Sequence, residues 1–132
     1  PGNGKNMITV AASENDRPGW TDGCLIGPSG ADNAMDVIGF SSRGPSPGGR
    51  RKPEVIAPGT HIQGTASTEV GYNGSGVCDQ YIPTTQTVFA SSSGTSHSAP
   101  AVEGIASLYY RWRQDHFLAA VPSAAPSATM PI

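Results

Sequence analysis

A chain of 132 residues can build one domain with a core, but it is near the size at which one domain is also the upper limit. Charged residues make up only 14% and the net charge is −2, so the basic field that a phosphate backbone demands is missing and nucleic acid is excluded as an expected partner. No run approaches the roughly 20 apolar residues of a membrane span, and 17 glycines with 12 prolines mark a chain rich in loops.

In chain order, MITVAAS at 7–13 is short, β-branched and apolar, which predicts a buried strand. Residues 14–34 carry Pro18, Gly19, Gly23, Gly27, Pro28 and Gly30 and read as loop. DVIGFS at 36–41 predicts a second strand, ended by the SSRGPSPGG turn, where Pro45 and Pro47 cannot donate to a ladder. EVIA at 54–57 predicts a third strand that stops at Pro58 and Gly59, and HIQGTAS at 61–67 a fourth. Between 68 and 91 the pattern is irregular, with GYNGSG as a turn and YIPTTQTVFA as a hairpin arm.

The clearest element is a helix from Ser96 to about Arg113. Ala99, Val102, Ala106, Tyr109 and Trp112 recur at steps of three and four, and Ile105 and Leu108 widen that face, which predicts a largely buried helix. Thr95 or Ser93 is expected to cap it, with Pro100 accommodated as a first-turn proline. Arg111 and Arg113 fall where the helix dipole favours positive charge. Residues 118–132 are rich in Ala, Ser and Pro and read as a linker or a truncated continuation, leaving 1–117 as the folded unit. The first residues lack the regions of a signal peptide, and the start at Pro1 without an initiator methionine leads us to expect a longer precursor. Cys24 and Cys78 are the only thiols; one bridge or two free cysteines both fit their number, and their spacing matches no zinc-finger template.

A serine at a helix entry has two readings. It is usually a cap. It can also be a nucleophile, because the open amides and the positive end of the dipole stabilise negative charge developing beside its oxygen. The stretch SGTSHSAPAVEG resembles the nucleophile motif of the subtilases, the subtilisin-like serine proteases: Gly94, Thr95, Ser96, Pro100, Val102 and Gly104 fall on it, while His97 and Ser98 replace the usual Met and Ala. FSSRGPSPGGRRKPEVIAPGTHI at 40–62 is similar to a second family segment, with Glu54 where Asp is usual, and MITVAASEN at 7–15 to a third, with Ala11 in the place of a glycine. The three stretches stand in the family's own order.

The resemblance implies the C-terminal part of a subtilisin-like catalytic domain, a partial α/β domain with a doubly wound parallel sheet, and a serine endopeptidase with Ser96 as the catalytic nucleophile. It implies further that Gly2 and Asn3 lie near the pocket for the side chain preceding the scissile bond, that Ser91, Ser92 and Ser93 border the leaving-group side, and that His97 lines the pocket near the leaving group. Adjacent helix residues point about 100° apart, so His97 is not expected to act as the base. His61 and His116 do not match the triad histidine, and Asp16, Asp22, Asp32, Asp36 and Asp79 read as loop carboxylates. In this family the triad runs Asp, His, Ser along the chain, so the aspartate, the histidine and the oxyanion asparagine are expected before Pro1, and this chain alone is expected to be inactive. The expected partners are a polypeptide substrate and the N-terminal portion of the same domain, with no membrane. No cofactor is required, although calcium commonly binds the family's loops, and export from the cytoplasm is expected. The alternative is a degenerate, non-catalytic subtilase-like domain with a structural or binding role.

Overall fold

The structure, a computed structural model, describes residues 2–118. Four short strands and one long helix form the framework: β1 (Val10–Ser13), β2 (Val55–Pro58), β3 (Ile62–Thr65), β4 (Phe89–Ser92) and α1 (Thr95–Arg113). A single 3₁₀ turn covers Pro28–Gly30, and a π turn, Gln114–Leu118, follows α1. Apart from Leu118, the Ala/Ser/Pro-rich segment lies outside the described residues.

β1 pairs in parallel with β2, with Val10 opposite Val55 and Ser13 opposite Pro58. β3 and β4 pair antiparallel, with Ile62 opposite Ser92 and Thr65 opposite Phe89. The helix packs on the parallel pair. One parallel pair with a helix across it suits part of an α/β domain. The connection from β1 to β2 contains no α-helix, only the 3₁₀ turn.

Small residues make the contact between α1 and the parallel pair. Ala11, Ala12 and Ala57 are buried, and Ser98 is the one buried residue of the helix. Ser98 Oγ donates to the Pro58 carbonyl at 3.2 Å, and the Gly94 amide donates to the Gly59 carbonyl at 2.7 Å. A β-carbon on Gly59 would stand 2.6 Å from Ala12 Cβ and 2.7 Å from Ser98 Oγ, closer than van der Waals contact permits. Glycine is therefore required where the end of β2 passes between β1 and the helix.

Three expectations need correction. Residues 36–41 are not a strand: Val37 makes one antiparallel bridge to Ser13, and the chain then turns, with the Ser41 amide donating to the Ile38 carbonyl at 3.0 Å. Gly39 lies inside that turn and adds no side chain to hold an extended run. The helix is also not largely buried. Ile105 and Leu108 are 68% and 73% exposed, and Tyr109, Trp112 and Phe117 are open as well. Periodicity identifies the apolar face of a helix but not whether anything covers it. Finally, Pro100 is the sixth residue of α1 and not part of its first turn. It has no amide to donate to the Ser96 carbonyl four residues back.

Gly59→Ala is expected to lower the stability of the folded chain by about 1–3 kcal/mol, the range for overpacking a tight contact. The shift of the urea midpoint at unchanged m-value measures it.

Candidate active site

β4 delivers the chain to the helix through Ser93 and Gly94. Gly94 has φ 156° and ψ 160°, a backbone region open essentially to glycine. That geometry turns the extended strand into the first helical turn within one residue. No side chain caps the helix, so the expected roles of Thr95 and Ser93 as caps are not realised. The amide of His97 bonds back to the Gly94 carbonyl at 3.1 Å, whereas the amides of Thr95 and Ser96 have no backbone acceptor among the described residues. Ser96 is exposed in this first turn.

Ser96 faces a cleft of about 640 Å³. Thr95 and Ala99 flank it on the helix, and Gly2, Asn3, Thr9 and Val10 form another wall. The third wall is the loop from Ser42 to Pro53. The Thr9 hydroxyl donates to the Gly2 carbonyl at 2.7 Å and holds the segment of Gly2 and Asn3 against the end of β1. In the loop wall, Lys52 is buried, donates from Nζ to the Met7 carbonyl at 2.6 Å and pairs with Glu54. Glu54 in turn accepts the Thr9 amide at 2.8 Å, and Lys52 beside it holds its carboxyl below the usual range. The cleft wall is thus tied to β1 by one buried cation and its partner.

Of the residues singled out in the sequence, Gly2, Asn3 and Ser96 meet in this cleft. Ser92, Ser93 and His97 are half-buried and Ser91 is fully buried, and, contrary to expectation, none of the four lines the cleft. The Ser93 hydroxyl accepts the His61 amide at 2.9 Å and donates to Cys24 Sγ at 3.1 Å. Cys24 and Cys78 are joined by a disulfide with Cα atoms 4.7 Å apart. Among the described residues no group of three or more His, Cys, Asp or Glu side chains stands close enough to hold a metal ion.

Spacing alone did not reveal the buried cluster of Asp22, His61 and Ser91. Their side chains are almost wholly shielded from solvent. Asp22 Oδ1 accepts the Cys24 amide at 3.0 Å, and Oδ2 accepts a short bond from the Ser91 hydroxyl. His61 Nδ1 stands 3.0 Å from Oδ2, but its orientation falls outside good hydrogen-bond geometry, and Nε2 has no partner among the described residues. The two side chains are therefore buried side by side without a well-formed hydrogen bond between them. Burial pushes the Asp22 carboxyl upward, but the Ser91 hydroxyl, His61 and the Cys24 amide outweigh it and leave the pKa below the ordinary value. The one usable signal in the sequence was Cys24, two residues beyond Asp22: a bridge to Cys78 brings that carboxylate to β4.

The comparisons with known proteins bear on the same residues. The model of the Subtilase family matches residues 1–121. The chain belongs to the subtilase family. This subtilase segment is 35% identical over 122 residues to a protein of Aquifex aeolicus (strain VF5), aq_aa18, covering 90% of this chain and 47% of that one. It is 40% identical over 105 residues to "Subtilisin-like protease SBT1.4" of Arabidopsis thaliana, covering 77% of this chain and 12% of the plant protein. A second Arabidopsis protein, "Subtilisin-like protease SBT4.14", is 35% identical over 98 residues, covering 73% and 12%. The chain spans less than half the length of each of these relatives.

A carboxylate whose folded-state pKa is depressed adds stability that is present above its unfolded value and lost as the pH falls through the folded one. Asp22 is therefore expected to make the subtilase segment lose stability on acidification below about pH 3.9, the ordinary aspartate value. Asp22→Asn should flatten that part of the profile. Urea unfolding followed between neutral pH and pH 3 reads both effects.

Proposed function

We propose that the protein is a serine endopeptidase that cleaves peptide bonds through an acyl-enzyme on Ser96. The observation that supports this most is an exposed serine in the first turn of a helix, beside two uncommitted amides, facing a cleft. Family membership narrows the chemistry to that of serine peptidases.

In the proposed reaction Ser96 Oγ attacks the carbonyl carbon of the scissile peptide while a base removes its proton. The carbonyl oxygen becomes an oxyanion, and the Ser96 amide at the positive end of α1 donates to it. The C–N bond then breaks, the amine leaves with the proton carried by the base, and water hydrolyses the ester to restore the hydroxyl. We assign the base, its orienting aspartate and a second oxyanion donor, an asparagine, to polypeptide preceding Pro1. Gly2 and Asn3 border the site for the side chain before the scissile bond, and Ser93 and His97 support the leaving-group side. The same upstream polypeptide would complete a doubly wound parallel sheet and cover the open apolar face of α1, where Ile105, Leu108 and Trp112 are exposed.

The disulfide supports action outside the cytoplasm, because such bridges persist in oxidising compartments. No helix among the described residues is long and apolar enough to cross a membrane.

A fluorophosphonate probe on the full protein tests the assignment. Ser96 is expected to be labelled, and Ser96→Ala to lose labelling and about 10⁶-fold in turnover, the loss measured in the related enzyme subtilisin when its nucleophile is removed. A folded wild-type protein in which Ser96 stays unmodified would mean a non-catalytic domain with a structural or binding role.

A further inference from the structure

We infer that Asp22, His61 and Ser91 act as positioning residues for Ser96, a buried polar clamp that sets the course of the strand leading into the nucleophile. The inference rests on the proposed role of Ser96 but concerns residues for which that chemistry has no use.

The clamp joins three stretches of chain far apart in sequence. Asp22 lies on the loop before Cys24, His61 at the entry to β3, and Ser91 in β4, five residues before Ser96. The Asp22 carboxylate accepts the Cys24 amide on Oδ1 and the Ser91 hydroxyl on Oδ2, and His61 Nδ1 lies 3.0 Å from the same Oδ2. From this point a chain of contacts reaches the nucleophile. The His61 amide donates to Ser93 Oγ at 2.9 Å, Ser93 Oγ donates to Cys24 Sγ at 3.1 Å, and the Gly94 amide donates to the Gly59 carbonyl at 2.7 Å. The far side of β4 is held as well, since the Ser91 backbone exchanges bonds with Asp79 and accepts the Cys78 amide at 2.8 Å. Ser91, Ser93 and Gly94 are thus each tied down immediately before the turn that presents Ser96.

The backbone at His61 carries the same message. Its φ is +51°, a left-handed conformation uncommon outside glycine and, among other residues, adopted most by Asn, Asp and His. In that conformation the ring is buried beside Asp22 while the amide of the same residue reaches Ser93. The ring and amide of one residue therefore link the carboxylate to the strand. A nucleophile must be held within a fraction of an ångström of its working position, and a displacement of about 1 Å costs roughly 100-fold in rate. A clamp anchored on buried polar groups is suited to that task, because releasing the Asp22 carboxylate leaves it and the Ser91 hydroxyl unpaired in the interior.

The test uses the full protein with Asp22→Asn, Asp22→Ala and His61→Asn, and two independent readouts. The first is amide hydrogen exchange, the second the rate of Ser96 labelling by a fluorophosphonate together with kcat and KM on a peptide. Asp22→Asn should speed exchange at the Gly94 and His97 amides by about tenfold or more while leaving β1 unchanged. It should lower labelling and kcat by about 10- to 100-fold with KM nearly constant. Asp22→Ala should do the same more strongly; if it does not fold, Asp22→Asn decides alone. His61→Asn tolerates a positive φ and keeps the backbone amide that reaches Ser93, so it should retain most of the wild-type rate. Exchange at Gly94 and His97 unchanged in Asp22→Asn, or raised uniformly through β1 and β2, overturns the inference. So does a folded Asp22→Asn that labels at the wild-type rate. If wild-type Ser96 is not labelled at all, the proteolytic reading falls, and the exchange measurement still decides whether the clamp holds the strand.

Discussion

The backbone of Gly59 meets three parts of the chain at once. Ala12 of β1, Ser98 of α1 and the carbonyl of Gly94 all come within 3.0 Å of where a β-carbon would stand, and the Gly59 carbonyl accepts the Gly94 amide. This close approach sets the depth at which the helix start sits over the parallel pair. It also explains why the buried side chains there are Ala and Ser and not Leu or Phe, since larger groups would push the helix off the strands. The position of Ser96 follows, because it lies in the turn between the Gly94 anchor and the Ser98 anchor.

A second set of constraints acts from the other side of the strand. Asp22, His61 and Ser91 are polar, buried and adjacent, and the disulfide between Cys24 and Cys78 keeps the loop that carries Asp22 next to β4. In a loop-rich chain whose buried apolar side chains, among the described residues, are alanines, polar contacts and a covalent bridge do the ordering that a large apolar core would otherwise do. Small-residue packing fixes the helix side of the cleft, and polar and covalent links fix the strand side.

The large apolar side chains have the opposite distribution. Ile105, Leu108, Tyr109 and Trp112 lie open on α1, and Tyr109 and Trp112 stack with ring centroids 5.9 Å apart. A patch of this kind is typical of a surface that other polypeptide covers.

Local chemistry made part of this protein legible before any coordinates. β2 and the helix were readable because β-branched runs and a 3.6-residue apolar period are properties of neighbouring residues, and the Gly94–Thr95–Ser96 turn was readable because only glycine allows that backbone. DVIGFS misled because the same apolar residues serve a single bridge followed by a turn, and which occurs depends on what β1 offers alongside. The exposure of the helix, the meeting of Gly2 and Asn3 with Ser96, and the pairing of Asp22 with His61 were settled only by the tertiary structure. These join residues tens of positions apart, and no local preference encodes which distant group will arrive. The sequence by itself determined where the helix begins and that a serine stands at its start, while the folded chain decided what surrounds that serine, because burial and contact are properties of the whole packing.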